Sequence, residues 1–120
     1  MLGTGLIVRP VTEIDPQMLK GLLAVLVLSL LTERDDYGYS LVERLRAGGL
    51  DEIVEGTVYP ALARLEQGGF VSTYHVPSSR GPARKYYAIT DTGRRELGER
   101  MGSWRRLVSV LEHVTKEIAP

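Results

Sequence analysis

The sequence predicts a mainly α fold with a small β-hairpin, closed by one long C-terminal helix. Three observations point there. Three segments between residues 16 and 67 carry helical apolar periodicity, and the last two stop at paired glycines. Two runs rich in Val, Thr, Tyr and Ile flank a segment of Pro, Ser and Gly, and the apolar residues beyond position 96 step alternately by four and three. With 120 residues, 43% of them hydrophobic, the chain can bury one core rather than two.

Residues 1–15 contain Gly3, Gly5 and Pro10 without sustained periodicity and are expected to form an arm that orders only where it docks. Pro16 suits a first helical turn, and Gln17 to Leu31 is then apolar on nearly every face, so it needs cover from several sides. Its run Leu22 to Leu31 falls well short of the ~20 residues that a bilayer demands, Glu13 and Asp15 precede it, and Thr32-Glu33-Arg34-Asp35 offers no small-residue cleavage site. The expectation is a buried helix and no membrane partner.

A second helix is expected over Tyr37 to Arg46, capped by Asp35 or Asp36, with Leu41, Val42 and Leu45 as its stripe and Gly48-Gly49 as its stop. A third follows Leu50 to Glu55. There Thr57 is the expected N-cap, Pro60 falls in the first turn, and Val58, Ala61, Leu62 and Leu65 share one face before Gly68-Gly69. Tyr59, Ala63, Arg64 and Gln67 lie off that face.

Phe70 to Val76 and Arg84 to Thr90 read as two strands joined by a long tip over Pro77 to Pro82, with Tyr87 and Ile89 turned inward. Thr90 or Asp91 then caps a last helix reaching about Glu117, about 40 Å long at 1.5 Å per residue. Leu97, Met101, Trp104, Val108, Leu111, Thr115 and Ile118 form a heptad seam along it, widened by Leu107, Val110 and Val114. Two such apolar helices offer more surface than one small core can hide, so packing on a partner's copy is expected, with Leu22, Leu26, Leu97, Met101, Trp104, Val108 and Leu111 in the dimer interface. Three helices followed by a two-stranded wing constitute a winged helix-turn-helix, here over residues 16–90, with residues 91–120 as the dimerisation helix.

Charge separates along the chain although fifteen basic and fifteen acidic residues cancel. From Glu13 to Glu66 ten acids face five bases, whereas from Arg80 to Arg106 eight bases face three acids. That one-sided basic field suits duplex DNA. Candidate contacts are Thr57 and Tyr59 with the amides opening the third helix, Tyr37 or Tyr39 opening the second, Arg64 to a phosphate or guanine, and Arg80, Arg84 and Lys85 on the wing. Arg64 can equally pair with Glu66 or Asp51. The acids Asp51, Glu52 and Glu55 would repel phosphates unless turned away or paired with Arg44, Arg46 or Arg64.

Other chemistries find little support. No cysteine is present, which leaves a reducing, cytoplasmic setting as the default, and His75 and His113 are too far apart to suggest a metal. Asp91-Thr92-Gly93 has the triplet of aspartic proteases, but Arg94 to Arg100 continues it as a charged helix in which Asp91 is a first-turn acid. No enzyme and no cofactor are expected. A winged-helix adaptor that binds protein and not DNA is the alternative.

Four motifs in order, Met18-Leu19-Lys20-Gly21-Leu22-Leu23, Tyr37-Gly38-Tyr39, Glu55-Gly56-Thr57-Val58-Tyr59-Pro60-Ala61-Leu62 with Leu65-Glu66, and Gly81-Pro82-Ala83-Arg84-Lys85-Tyr86-Tyr87, resemble the PadR family of transcriptional regulators. The resemblance covers about Pro16 to Leu111 and is closest to its short subgroup, which dimerises through the first and last helices. It implies a repressor of a nearby gene, often one for efflux or detoxification, relieved by a small molecule. In some short members flat aromatic compounds bind between paired tryptophans of the dimer, and Trp104 in Gly102-Ser103-Trp104-Arg105-Arg106 falls at the matching place. Without a ligand, Trp104 is a buried dimer anchor.

Overall fold

Asp15 opens the first element by accepting a hydrogen bond from the Gln17 amide at 2.8 Å, and Pro16 needs no such partner. The computed structural model describes residues 14–116, so most of the expected arm, together with Glu117 and Ile118, lies outside the described residues. Helix α1 (Pro16–Glu33) is followed by β1 (Asp36–Tyr37), α2 (Gly38–Ala47), α3 (Glu55–Gln67), β2 (Val71–Ser78), β3 (Gly81–Ile89) and α4 (Asp91–Thr115). By length and composition α1 could cross a membrane. Here, however, Leu23, Val27, Leu28 and Leu31 are buried in the common core with Leu41, Val42, Val58, Leu62, Val71 and Tyr87.

Helices α2 and α3 end alike. Gly49 and Gly69 take the left-handed φ values of 123° and 76°, and the amides of Leu50 and Phe70 return to the carbonyls of Leu45 and Leu65. The paired glycines are therefore the stops that the sequence predicts. The helix starts differ from expectation. Helix α2 begins after Tyr37 with no side-chain cap, because the Asp36 carboxylate is used elsewhere: it accepts from the Tyr37 amide, Ser40 Oγ and Arg44 Nη1 at 2.7–2.9 Å. Helix α3 begins after Val54, so Thr57 is inside the helix and is not its cap, and Pro60 falls in the second turn.

The wing is larger and tighter than the sequence predicts. The sheet has three antiparallel strands in the order β1-β3-β2, since Asp36 and Tyr37 pair with Tyr87 and Tyr86. The hairpin strands run on to Ser78 and Gly81, which pair, leaving Ser79-Arg80 as a two-residue turn in place of a long tip. Pro77 is tolerated because the register is irregular between Val76 and Ser78. Tyr87 is buried and Ile89 packs on the core, as the alternation requires.

Thr90 caps α4, accepting from the Gly93 amide at 3.0 Å and donating to the Gly69 carbonyl at 2.7 Å. Gly93 is the residue of α4 that is buried: a Cβ there would overlap the Phe70 carbonyl oxygen, so glycine lets the helix sit directly on the α3–β2 turn. Beyond it α4 packs along α1 and then projects, giving a body of 58 × 33 × 21 Å.

Candidate nucleic-acid interface

The 3.6-residue period of α3 divides its surface into three strips. Val58, Ala61, Leu62 and Leu65 face the core. Gly56, Pro60, Ala63 and Gln67 point outward and are exposed, a narrow and uncharged strip. Tyr59 and Glu66 lean toward the sheet and α2, whereas Arg64 leans toward α1, where it shares a cleft of about 150 Å³ with Lys20, Phe70 and Arg100. Arg64 pairs with neither Glu66 nor Asp51, the two partners that the sequence offers.

The Tyr59 ring lies directly against Gly38, where a Cβ would clash with its Cε1, Cζ and hydroxyl. The glycine of Tyr37-Gly38-Tyr39 thus seats the tyrosine of α3, which links two motifs through residues 21 positions apart in sequence. Burial first, and Glu55 second, push the Tyr59 hydroxyl above its ordinary range, so it stays a donor at neutral pH. Tyr39, the next residue of α2, is half exposed. Tyr37 instead joins a ladder on the outer face of the sheet: its ring lies 5.3 Å from Tyr86, which stacks at 5.6 Å on Tyr74. Arg84 covers Tyr37 at 4.6 Å, a cation–π contact that holds the guanidinium against the sheet, and Tyr74 donates to Asp35 at 2.8 Å.

The three wing cations therefore sit in three different settings. Arg80 occupies the exposed turn, Arg84 is stacked on the outer face, and Lys85 is on the opposite face, bonded to Glu66 at 3.1 Å. Sequence reasoning did not single out Glu66 as a site residue. A pair 19 positions apart leaves no local signal, and only the alternation of β3, which puts Lys85 on Tyr87's face, points to it.

The acids at the approach to α3 are not neutralised in the expected way. Arg44 is committed to Asp36 and Glu33, and Arg46 to Glu43 and the Ile53 carbonyl. Among the described residues no ion pair involves Asp51, Glu52 or Glu55. Glu55 occupies the first turn of α3, where the helix dipole favours an acid.

On the far side of the molecule Leu26 and Leu97 pack on the chain's own core. Met101, Trp104 and Val108 are half-buried, while Leu107, Val110, Leu111 and Val114 are 47–65% exposed. Between α1 and α4 runs a groove of about 460 Å³ lined by Leu22, Val25, Arg100, Trp104, Leu107 and Val110.

Comparison with known proteins agrees with this geometry. Residues 27–99 match the model of the transcriptional regulator PadR-like family. An uncharacterised protein from Lysinibacillus sphaericus is 31% identical over 97 residues, which span 79% of this chain and 89% of that one. Among solved structures, a transcriptional regulator from Clostridium thermocellum superposes with a TM-score of 0.76 at 32% identity, covering 84% of this chain and 97% of that one. A PadR-like transcriptional regulator from Bacillus cereus gives a TM-score of 0.71 at 36% identity, covering 82% and 95%. The winged fold, the motifs that meet at Tyr59 and Gly38, and a family match over more than half its length lead to one conclusion: the chain belongs to the PadR-like family of transcriptional regulators.

Proposed function

We propose that this regulator is a homodimeric repressor whose two winged domains bind duplex DNA and whose α1–α4 groove receives a small aromatic effector. The observation that carries this reading is the apolar strip Leu107, Val110, Leu111 and Val114, which α4 extends beyond its own core. A strip of that size on a single chain calls for cover, and the heptad step predicts a helix of the same kind. Leu22, Met101, Trp104 and Val108 border it and complete the interface; Leu26 and Leu97 serve the chain's own core first.

In this reading α3 enters the major groove on its uncharged strip, with Thr57, Tyr59 and the amides of Glu55 and Gly56 setting register on the backbone. Arg80 and Arg84, with Tyr37 under Arg84, supply attraction from the wing, Tyr39 offers a hydroxyl from the exposed side of α2, and Arg94 and Arg95 add to the attraction from the start of α4. Arg64 stands on the α1 side of α3, so its reach is to a flanking phosphate and not to a base. Trp104 gives the groove a flat apolar wall, and a planar compound between two copies of it would favour one dimer geometry over another. A DNA-binding protein of this kind works in the cytoplasm.

Two measurements test this reading. Retention and sequencing of genomic fragments yields the operator, and a chain that retains none is an adaptor instead. Planar aromatic compounds should quench Trp104 fluorescence and weaken binding to the recovered operator together; quenching with operator affinity unchanged removes the effector from the account.

A further inference from the structure

The Glu66 carboxylate grips both strands of the wing. Its Oε1 accepts from Lys85 Nζ of β3 at 3.1 Å and its Oε2 accepts from Thr73 Oγ1 of β2 at 3.1 Å. Among the described residues these are the only side-chain hydrogen bonds that join α3 to the hairpin. Thr73 pairs with Tyr87 across the ladder, and Lys85 Nζ lies 5.5 Å from the centre of the Tyr87 ring, so the contact sits where the hairpin leaves the core. Both partners are about 40% exposed, and an ion pair so placed contributes little to stability. Its geometry suggests a different use. The turn lies five residues beyond Lys85, about 17 Å at 3.3 Å per residue, so a swing of about 20° at that point would carry Arg80 about 6 Å.

We propose that Glu66 and Lys85 are positioning residues: a latch that fixes the angle between the recognition helix and the wing, in which Lys85 is held off the DNA and neutralises no phosphate. The hydrogen bond to Lys85 first, and that to Thr73 second, lower the Glu66 carboxyl, while the bond to Glu66 raises the Lys85 ammonium; both are consistent with a pair that stays charged at neutral pH. Of the three wing cations, Arg80 and Arg84 are then the ones left for phosphates. This proposal rests on DNA binding by the wing.

The test uses two double variants of the full chain and a mixed-sequence duplex of about 30 base pairs, with affinity followed against salt. The neutral pair E66Q/K85M removes the latch without changing net charge, and the reversed pair E66K/K85E restores it. The latch predicts that the neutral pair loses about fivefold in affinity at an unchanged salt slope, and that the reversed pair returns to within about twofold of the parent. A slope flatter by about one in both variants would make Lys85 a phosphate contact and overturn the proposal. Unchanged affinity in the neutral pair overturns it as well. A readout without DNA separates this from the binding assignment: residual dipolar couplings should show the hairpin loosening against α3 in the neutral pair and tightening again in the reversed pair. If the parent chain binds no duplex, wing binding fails while these couplings still decide the latch. Couplings unchanged in the neutral pair end it.

Discussion

The winged part of the chain and α4 solve opposite problems. From Pro16 to Ile89 most large apolar side chains find cover within the chain, with Met18, Tyr39, Val54, Tyr59 and Tyr74 as the exposed exceptions, and the buried carboxylate of Asp36 is satisfied by four groups, including Arg44 and Arg34. In α4 the one buried residue is Gly93, and the apolar residues grow more exposed toward the far end. In the proposed reading the first region supplies the core, and the second, anchored at its root, meets a second copy of the chain.

The sharpest way to break this division is at its seam. Gly93→Ala puts a methyl group against the Phe70 carbonyl and within 2.9 Å of Ile89 Cγ1, and neither the backbone nor a packed side chain can yield cheaply. A loss of about 3 kcal/mol is expected in urea denaturation. A loss below about 1 kcal/mol would mean that α4 is not seated there.

Leu107→Glu with Leu111→Glu should separate the regions. Self-association should weaken by about 100-fold in sedimentation velocity while the melting temperature of the winged part, read at high dilution, shifts by only a few degrees. Association unchanged by both charges would place the interface elsewhere.

Within the winged part, Asp36→Ala strands Arg44 with only Glu33 and the Leu30 carbonyl. The expected cost is about 2 kcal/mol by chemical denaturation, with self-association intact.

The smallest effect concerns the latch. Glu66 should titrate below the 4.5 of an ordinary glutamate in a carbon-detected NMR titration, and K85M should return it toward that value. Because the folded carboxyl is lowered, the stability that the pair contributes is present above the ordinary glutamate range and is lost as pH falls through the folded value. On the alkaline side Lys85 is raised above 10.5, so the contribution is full below 10.5 and is lost as pH climbs through the folded value. Titration of Glu66 at its ordinary value would remove the pair from solution.

Much of the fold was legible because its signals are local. Paired glycines gave both helix stops, alternation turned Tyr87 inward, and Thr90 proved a cap with the hydroxyl the rule prefers. What was not legible depends on distant partners. Strand β1 has two residues and no period; it exists because Tyr86 and Tyr87 offer it an edge. Thr57 looked like a cap because it is the hydroxyl nearest the apolar stripe, yet Ile53 is buried and the helix starts just beyond it, at Glu55, without a side-chain cap. Pro77 and Pro82 point to a long tip, whereas the irregular register admits the first and leaves a two-residue turn. Of the site, the wing cations were readable as residues but not as settings, since stacking on Tyr37 and bonding to Glu66 are products of the sheet.

The central claim is that α4 joins two winged domains into one DNA-binding unit. Its most direct test is the mass of the complex between the chain and a genomic fragment that it retains, with the protected bases mapped on both strands. Two chains per duplex, protecting two segments about 34 Å apart along one face, is the predicted result. One chain per duplex, with a single protected segment, would contradict it.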